Sequence, residues 1–382
     1  MVVSLNVLQH GAMKLNMGCS FYINLPFGVV SVVLIALFFK TPAQAVTMKA
    51  TWKEKGLQMD PLGIALVMGG IVAYILALEN GGQKKPWNSS TVIGLLVGFV
   101  LIWVAFIVWE IYNGERSMLP PRLLRQRTIW QPSGFVFFFA ASYFVLLYYL
   151  PIYFQSIDNR TAINSGVLNL PMVISLAIGS TISGIVVSKT GHAAPFMIVG
   201  TVLATISTGL MYTFDIGTGV GKWIGYQILY GIAVGLGFQM GINIAQANAN
   251  MEEISSVTAT IFCKPNTVPS ERSQLTTWPL VFQTTGGAFA ISAAQSGFVN
   301  RMLTTLAKTA SSVNPQMVIG TGATQIRHAF AADEVPGIVL AYMAGIKVTF
   351  IITISLAATS VLVALFVPWK KLNTEKIIGG AA

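Results

Sequence analysis

TVIGLLVGFVLIWVAFIVWEIY, Thr91–Tyr112, holds one charged side chain, Glu110, in twenty-two consecutive residues. A helix of that length rises about 33 Å, enough to cross a hydrocarbon core about 30 Å thick. Its apolar residues run continuously, so it does not read as a barrel strand, in which inner and outer residues alternate. Eight other runs answer to the same description. Phe21–Phe39 and Leu62–Leu78 precede it; Pro132–Phe154, Gly166–Val187, Pro195–Phe214, Gly221–Ala245, Val281–Met302 and Ile346–Val367 follow. The expected fold is an all-α membrane protein with about nine transmembrane helices.

Composition points the same way. Of 382 residues, 54% are hydrophobic and 9% charged, and the mean hydropathy is +0.69. Soluble domains carry about a quarter charged residues. So sparse a charge cannot coat a water-soluble surface, which makes the lipid bilayer the first expected partner. Two cysteines are too few for a disulfide scaffold. A net charge of +10 would suggest nucleic acid in a soluble chain. Here it reads as basic residues at cytoplasmic membrane edges, and no nucleic-acid partner is expected.

The short loops orient the chain. One set of segments holds Lys40, Lys49, Lys53, Lys55, Arg116, Arg122, Arg125, Arg127, Lys189, Lys370, Lys371 and Lys376; the opposite set holds only Lys14, Lys84, Lys85, Arg160 and Lys222. The positive-inside rule places the first set, and with it the tail, in the cytoplasm. Two glycosylation acceptor patterns, at Asn88 and Asn159, both fall on the outer side. Residues 1–18 lack an apolar core with a small-residue cleavage site, so no signal peptide is expected there.

Inside the expected spans ionisable residues are almost absent. Ionisable residues within a bilayer are costly and usually functional. Among the acidic residues only Glu110 falls within a run, near its cytoplasmic end, where it reads as an interfacial side chain. Gln239, Asn243 and Gln246 share one helix face by spacing and are the candidate substrate-pathway residues. Such a stripe either lines an aqueous path or bonds neighbouring helices. Small residues spaced for close helix packing are Gly179, Ser183, Gly184, Gly231, Gly235, Gly237 and Gly241. Tyr143, Tyr148, Tyr149 and Phe154 crowd the fourth run and read as lipid-facing or interfacial anchors, with a cavity wall as the other reading. His10, His192 and His328 are scattered, without metal-ligand spacing, and no phosphate loop or nucleophile elbow occurs. No catalytic residue, metal or cofactor is expected, and the chain is not read as an enzyme.

Several strings in one order carry a resemblance. They are FYINLP at Phe21–Pro26, DPLG at Asp60–Gly63, YYLPIYFQ at Tyr148–Gln155 and SGVLNLP at Ser165–Pro171. SGIVVSKTGHAAPF at Ser183–Phe196, GYQILYGIAVGLGFQ at Gly225–Gln239 and FQTTGGAFAISAAQ at Phe282–Gln295 complete the set. The sequence resembles the fungal fourteen-span branch of the major facilitator superfamily, the drug:proton antiporters and toxin efflux pumps. The resemblance implies that the nine runs match family spans six to fourteen, a partial fold with a complete C-terminal six-helix bundle. Residues 19–40 would be the last helix of the N-terminal bundle, 41–131 a linker with two transmembrane helices, 132–367 the C-terminal bundle and 368–382 a cytoplasmic tail. His192 stands where the family often has a basic residue, and Gly241 where many relatives have proline. The family's principal proton-linked charges belong to spans one to five, which this chain would lack.

The implied function is efflux of small organic molecules of the drug or toxin class by proton antiport, impaired in this chain, which the resemblance reads as N-terminally truncated. The alternative is a fragment that inserts without transporting. A partner chain supplying the missing bundle is a further expectation, and the plasma membrane the expected location, with vacuolar or vesicle membranes as alternatives. Residues 1–18 read as an irregular N-terminus foreign to the family pattern. Residues 263–280, CKPNTVPSERSQLTTWPL, interrupt SVTATIF and FQTTGGAF with polar, proline-containing sequence. Cys263-Lys264 can be encoded with a splice-donor string, and Leu280-Val281 with an intron-ending AG. Removing that stretch restores the family pattern in frame, so 263–280 reads as a retained intron, with a genuine loop insertion as its rival.

Overall fold

The computed structural model describes residues 24–38, 60–114, 127–247, 271–367 and 369. The chain divides into two units, Met1–Thr47 and Met48–Ala382. In the first, Asn24–Phe38 forms α1, whose described residues fall short of a full span. The irregular N-terminus expected at 1–18, residues 263–270 of the suspected insert and the basic tail from 370 onward lie outside the described residues.

In the second unit the described elements are helical, apart from one isolated backbone bridge between Gly81 and Lys85. They are α2 (Pro61–Asn80), α3 (Ser90–Asn113), α4 (Arg127–Ser156), α5 (Ala162–Leu168), α6 (Leu170–Thr190) and α7 (Ala194–Met211). Then follow α8 (Val220–Gly237), α9 (Met240–Ala247), α10 (Glu271–Thr309), α11 (Pro315–Gly320), α12 (Ile326–Ala329) and α13 (Val335–Leu365). Residues 271–280 of the suspected insert form the first turns of α10.

Among the described residues, seven helical segments are long and apolar enough to cross a membrane, and they correspond to the second to seventh and the ninth expected runs. The protein is a multi-pass integral membrane protein. Two helices depart from the sequence reading. α13 begins at Val335 rather than Ile346, because Pro336 sits in the first turn, where its missing N–H costs nothing. α10 is helical throughout the eighth run but is not among the seven, since it carries Gln283, Thr284, Gln295, Ser296 and Asn300. It can be that polar because it packs against α2, α4 and α13, and its side chains find partners there.

α2 and α3 form a hairpin closed by caps. The Gly63 N–H donates to Asp60 Oδ1 at 3.0 Å, the Trp109 indole donates to the same oxygen at 2.7 Å, and Asp60 itself holds φ 47°. At the other end Ser89 caps α3, accepting from the Val92 N–H. Asp60→Ala removes the cap and leaves the half-buried Trp109 indole without its acceptor, so it is expected to lower stability by about 1–2 kcal/mol. Asp60→Asn keeps an acceptor and tolerates the left-handed backbone, so it should lose less. Thermal melting of the purified variants, followed by tryptophan fluorescence, checks both.

The remaining long helices form a bundle. α6 packs on α8, α8 on α7, α7 on α13, and α4 touches α10, α13 and α9. Its centre is α4, from which Phe135, Phe139, Leu146, Tyr149, Tyr153 and Phe154 are all buried. Tyr149 and Phe154 are thus core residues and not lipid-facing anchors; Tyr148, half exposed, is the member of that group that faces outward. Glu110 also corrects the sequence reading: in the last turn of α3 it is 5% exposed, so its side chain is covered by protein and does not snorkel to water. The hairpin meets the bundle at Phe289 of α10, whose ring lies 4.7 Å from Tyr74 and 6.0 Å from Phe99. Asn300 Nδ2 donates to Gly81 O at 3.1 Å in the same seam.

One end of the bundle is tied by loops. Arg327 Nη2 donates to Ile157 O at 3.0 Å, Gln316 Nε2 to Gln83 O at 3.4 Å, and the Tyr153 hydroxyl to Asp215 O at 3.0 Å. Lys347 completes the tie with an ion pair to Asp215 Oδ2 at 2.9 Å. Asn88 and Asn159, both exposed, belong to connections at this end. Hydrogen bonding to the Lys347 ammonium, with help from the Ile216 N–H, holds the Asp215 carboxyl below its usual range. A carboxyl depressed in the folded state stabilises above its unfolded pKa and loses that contribution as pH falls through the folded one. Both partners are substantially solvent-exposed, so the effect should stay below about 1 kcal/mol. Asp215→Asn is expected to flatten the acid limb of the melting profile slightly while leaving neutral-pH melting nearly unchanged.

Candidate functional site

A solute path in a helical bundle needs polar groups on a face that the bundle's own helices do not cover. Two such patches flank α4. The first, called inner after the orientation expected from the short loops, is on α8 and α9. α8 ends at Gly237 and α9 starts at Met240, so the two are separated by Phe238 and Gln239. A backbone bond from Asn243 N to Gln239 O, 2.9 Å, carries one helical turn through the break. Gln239 is exposed and Asn243 half-buried, and they stay one turn apart. Gln246 belongs to α9, but its side chain lies outside the described residues. Gly241 takes the opposite side of α9: a Cβ there would come 2.5 Å from Val136 Cγ2 of α4. The uncovered stripe running up α8 from Gln239 is apolar, with Ile228 and Gly225 exposed. The stripe stays apolar until Lys222, exposed in the first turn of α8, so Gln239 and Asn243 mark its inner end.

The outer patch joins α4 to α10. The Tyr149 hydroxyl donates to Gln295 Oε1 at 2.7 Å; Tyr149 is fully buried, whereas Gln295 is exposed. Tyr148, at 50% exposure, stands beside it with ring centroids 5.3 Å apart. Tyr143 links the patches, its ring 5.2 Å from Phe238 at the α8–α9 break. Gln295 was not singled out from the sequence. The usable signal was the tyrosine, because a buried phenol nearly always finds an acceptor. What the sequence could not supply was which residue, 146 positions away, would be that acceptor.

The small residues hold α8 against its neighbours. A Cβ on Gly231 would meet Ser175 Oγ and Met172 O; one on Gly235 would lie 2.3 Å from Leu176 O. Gly179 approaches Ile232 O from the other side, and Ser183 Oγ donates to Gly235 O at 3.1 Å. Gly237 faces Phe139 and Gly200. Gly184 differs, since a Cβ there meets nothing within 4 Å. It lies off the buried stripe Met172, Ser175, Gly179, Ser183 and Val187.

The chemistry available is neutral hydrogen bonding beside aromatic surface, which suits a path or a binding face better than bond-making. Among the described residues no group of three His, Cys, Asp or Glu side chains is placed to hold a metal ion.

Comparison with known proteins adds the family context. The family model of the fungal trichothecene efflux pump (TRI12) matches residues 3–147. The MFS-type transporter grgE of a Penicillium species is 52% identical over 95% of this chain, which spans 60% of that protein. The probable efflux pump gsfJ of Penicillium aethiopicum is 47% identical over 95% of the chain and 63% of its own length. The dehydrocurvularin exporter of Aspergillus terreus is 35% identical over 92% of the chain and 58% of its own length. The chain thus spans about three-fifths of the curated relatives it matches.

Proposed function

The chain belongs to the major facilitator superfamily, beside its fungal efflux pumps, and from that premise we propose that it exports small organic molecules of the drug or toxin class in exchange for protons. That family moves solutes without transforming them, and the chain is not an enzyme. The observation that carries the proposal is similarity over nearly the whole chain to proteins named as transporters and efflux pumps. The polar patches on either side of α4 supply the contact surface such a function needs. In this reading α1 is the last helix of an N-terminal bundle, α2 and α3 a linker, and 132–367 the C-terminal bundle. Gln239, Asn243 and Gln246 mark the inner end of the substrate path. The plasma membrane is the site of action, and transport proceeds by rocking one bundle against another.

A second reading follows from the relatives' greater length: the chain inserts in the membrane and transports only with a second bundle supplied by another polypeptide, or not at all. Expression in yeast stripped of its own efflux pumps separates the two. Cells are loaded with rhodamine 6G and with a panel of uncharged fungal metabolites, and retention is compared with empty-vector cells. Lower retention that a protonophore abolishes supports proton-driven export. Equal retention at confirmed membrane expression favours the inert reading. The same assay tests residues 263–280, whose deletion should raise activity if they are intron-encoded.

In a transporting form, Gln239→Ala and Asn243→Ala are expected to change the substrate profile with little loss of stability, because neither side chain is fully buried. Unaltered profiles in both, and in Gln246→Ala, at matched expression would remove these three residues from the path.

A further inference from the structure

Gln227, on α8, is 0% exposed, and neither end of its side-chain amide has a hydrogen-bond partner. Asn169, where α5 breaks from α6, is 7% exposed, and its Oδ1 is likewise unpartnered. The register between α6 and α8 places them at one level. The two helices run parallel, since Gly231 abuts Met172 and Ser175 while Gly235, one turn on, abuts Leu176 and Ser180. One turn back from Gly231 is Gln227, and one turn back from Met172 and Ser175 is the segment Asn169–Pro171. Both residues lie within strings already quoted, GYQILYGIAVGLGFQ and SGVLNLP.

Neighbouring hydroxyls are already engaged. Ser175 Oγ donates to Met172 O at 3.0 Å, and Tyr230, nearly one turn inward from Gln227, pairs with Ser142 at 3.4 Å. Nor does Asn169 cap α6 with its side chain, and Pro171 offers no N–H. A buried polar group left unpaired costs about 1–3 kcal/mol, and a leucine or methionine would fill the Gln227 position without that cost. An arrangement of this kind is accounted for by a partner that arrives from outside the chain. Its chemistry follows from the donor set. Gln227 presents one donor group and one acceptor, and Asn169 presents an acceptor. A hydroxyl matches, because it accepts from Gln227 Nε2 while donating to a carbonyl oxygen. A carboxylate would face two oxygens unfavourably, and an ammonium would leave Nε2 unmatched. Interrupted helices are also where transporters commonly place solute contacts.

We propose that Gln227 and Asn169 form a hydroxyl-binding site at the α5–α6 break, about 10 Å inside the outer end of α8, which takes a neutral alcohol group of the transported compound. The proposal rests on the exporter reading for its role, but the binding can be measured without transport. The full chain is purified in detergent, and its melting is followed by tryptophan fluorescence with menthol and with menthyl methyl ether, which partition into micelles alike but differ in the hydroxyl. Menthol is expected to raise the melting temperature more than the ether does, and Gln227→Leu and Gln227→Met are each expected to abolish that difference. Both substitutions are apolar and of similar size, so at least one should fold. Equal shifts from alcohol and ether, or an alcohol-specific shift that survives in both variants, overturns the proposal. A variant that melts higher, with no alcohol-specific shift in the unsubstituted chain, assigns the amide to a bound water only and also overturns it. An alcohol-specific shift in a chain that exports nothing sinks the exporter reading and leaves the site standing.

Discussion

Gly235→Ala is expected to be strongly destabilising, and to abolish much of the folded, monodisperse material. The added Cβ would lie 2.3 Å from Leu176 O, 2.6 Å from Ser180 N and 2.9 Å from the Gly179 carbonyl carbon. All three are backbone atoms of α6, so no rotamer change relieves them. The helices must separate along the seam, which also breaks the bond from Ser183 Oγ to Gly235 O. Overpacking of a well-fitted contact costs about 1–3 kcal/mol and sometimes more; a backbone-to-backbone clash belongs at the upper end. Gly184→Ala is the control on the same helix pair. Its Cβ meets nothing within 4 Å, and alanine favours the helix over glycine by up to about 1 kcal/mol, so it should melt at or above the unsubstituted protein. Size-exclusion profiles and melting temperatures of the two variants provide the measurement. Melting of Gly235→Ala within a degree of the parent would mean that the α6–α8 seam is looser than these distances state.

The seam is also where the sequence was most informative. Small residues four apart on an apolar helix have few explanations other than close approach, so Gly179, Gly231 and Gly235 could be marked without coordinates. Run length and continuity identified seven of the spans for a similarly simple reason: a bilayer imposes one thickness on every helix that crosses it. The reading weakened where the environment was protein rather than lipid. α10 is polar because α2, α4 and α13 surround it, and hydropathy cannot anticipate neighbours. Glu110, near the end of its run, reads as a side chain that reaches water, yet the protein covers it. The tyrosines of α4 read as a membrane belt, but only Tyr148 turns outward to that degree. The α8–α9 break was invisible in an unbroken apolar string. Gln239 and Asn243 kept their spacing across it because one backbone bond persists there. Gln227 and Asn169 escaped notice for a related reason: a single amide in an apolar run reads as incidental until burial and the lack of a partner are known.

Gln295→Leu is expected to show how unequal the two ends of one hydrogen bond can be. Tyr149 is fully buried and donates to Gln295 Oε1 at 2.7 Å, while Gln295 itself is exposed. Removing the glutamine leaves a phenol hydroxyl without an acceptor in the core of the bundle, which should cost about 1–3 kcal/mol. Tyr149→Phe removes the donor instead. The amide left behind sits on an uncovered face and can find another partner, so the loss should stay below about 1.5 kcal/mol, the net value of an ordinary hydrogen bond. The double variant Tyr149→Phe/Gln295→Leu should recover most of what Gln295→Leu loses, because no orphaned group remains. Thermal melting of the four proteins closes the cycle, and additive losses would show that the hydrogen bond is not what couples α4 to α10 here. Transport then gives the pair a second reading. Gln295 is the exposed member, and only its free amide edge can reach a solute passing along this face. Tyr149→Phe frees Gln295 Oε1 from its present partner, so substrates with hydrogen-bond donors should be handled differently by that variant than by the parent. A shift in substrate profile with Tyr149→Phe, at nearly unchanged melting, would place the outer patch on the path. Loss of stability without any such shift would leave it a packing contact between two helices.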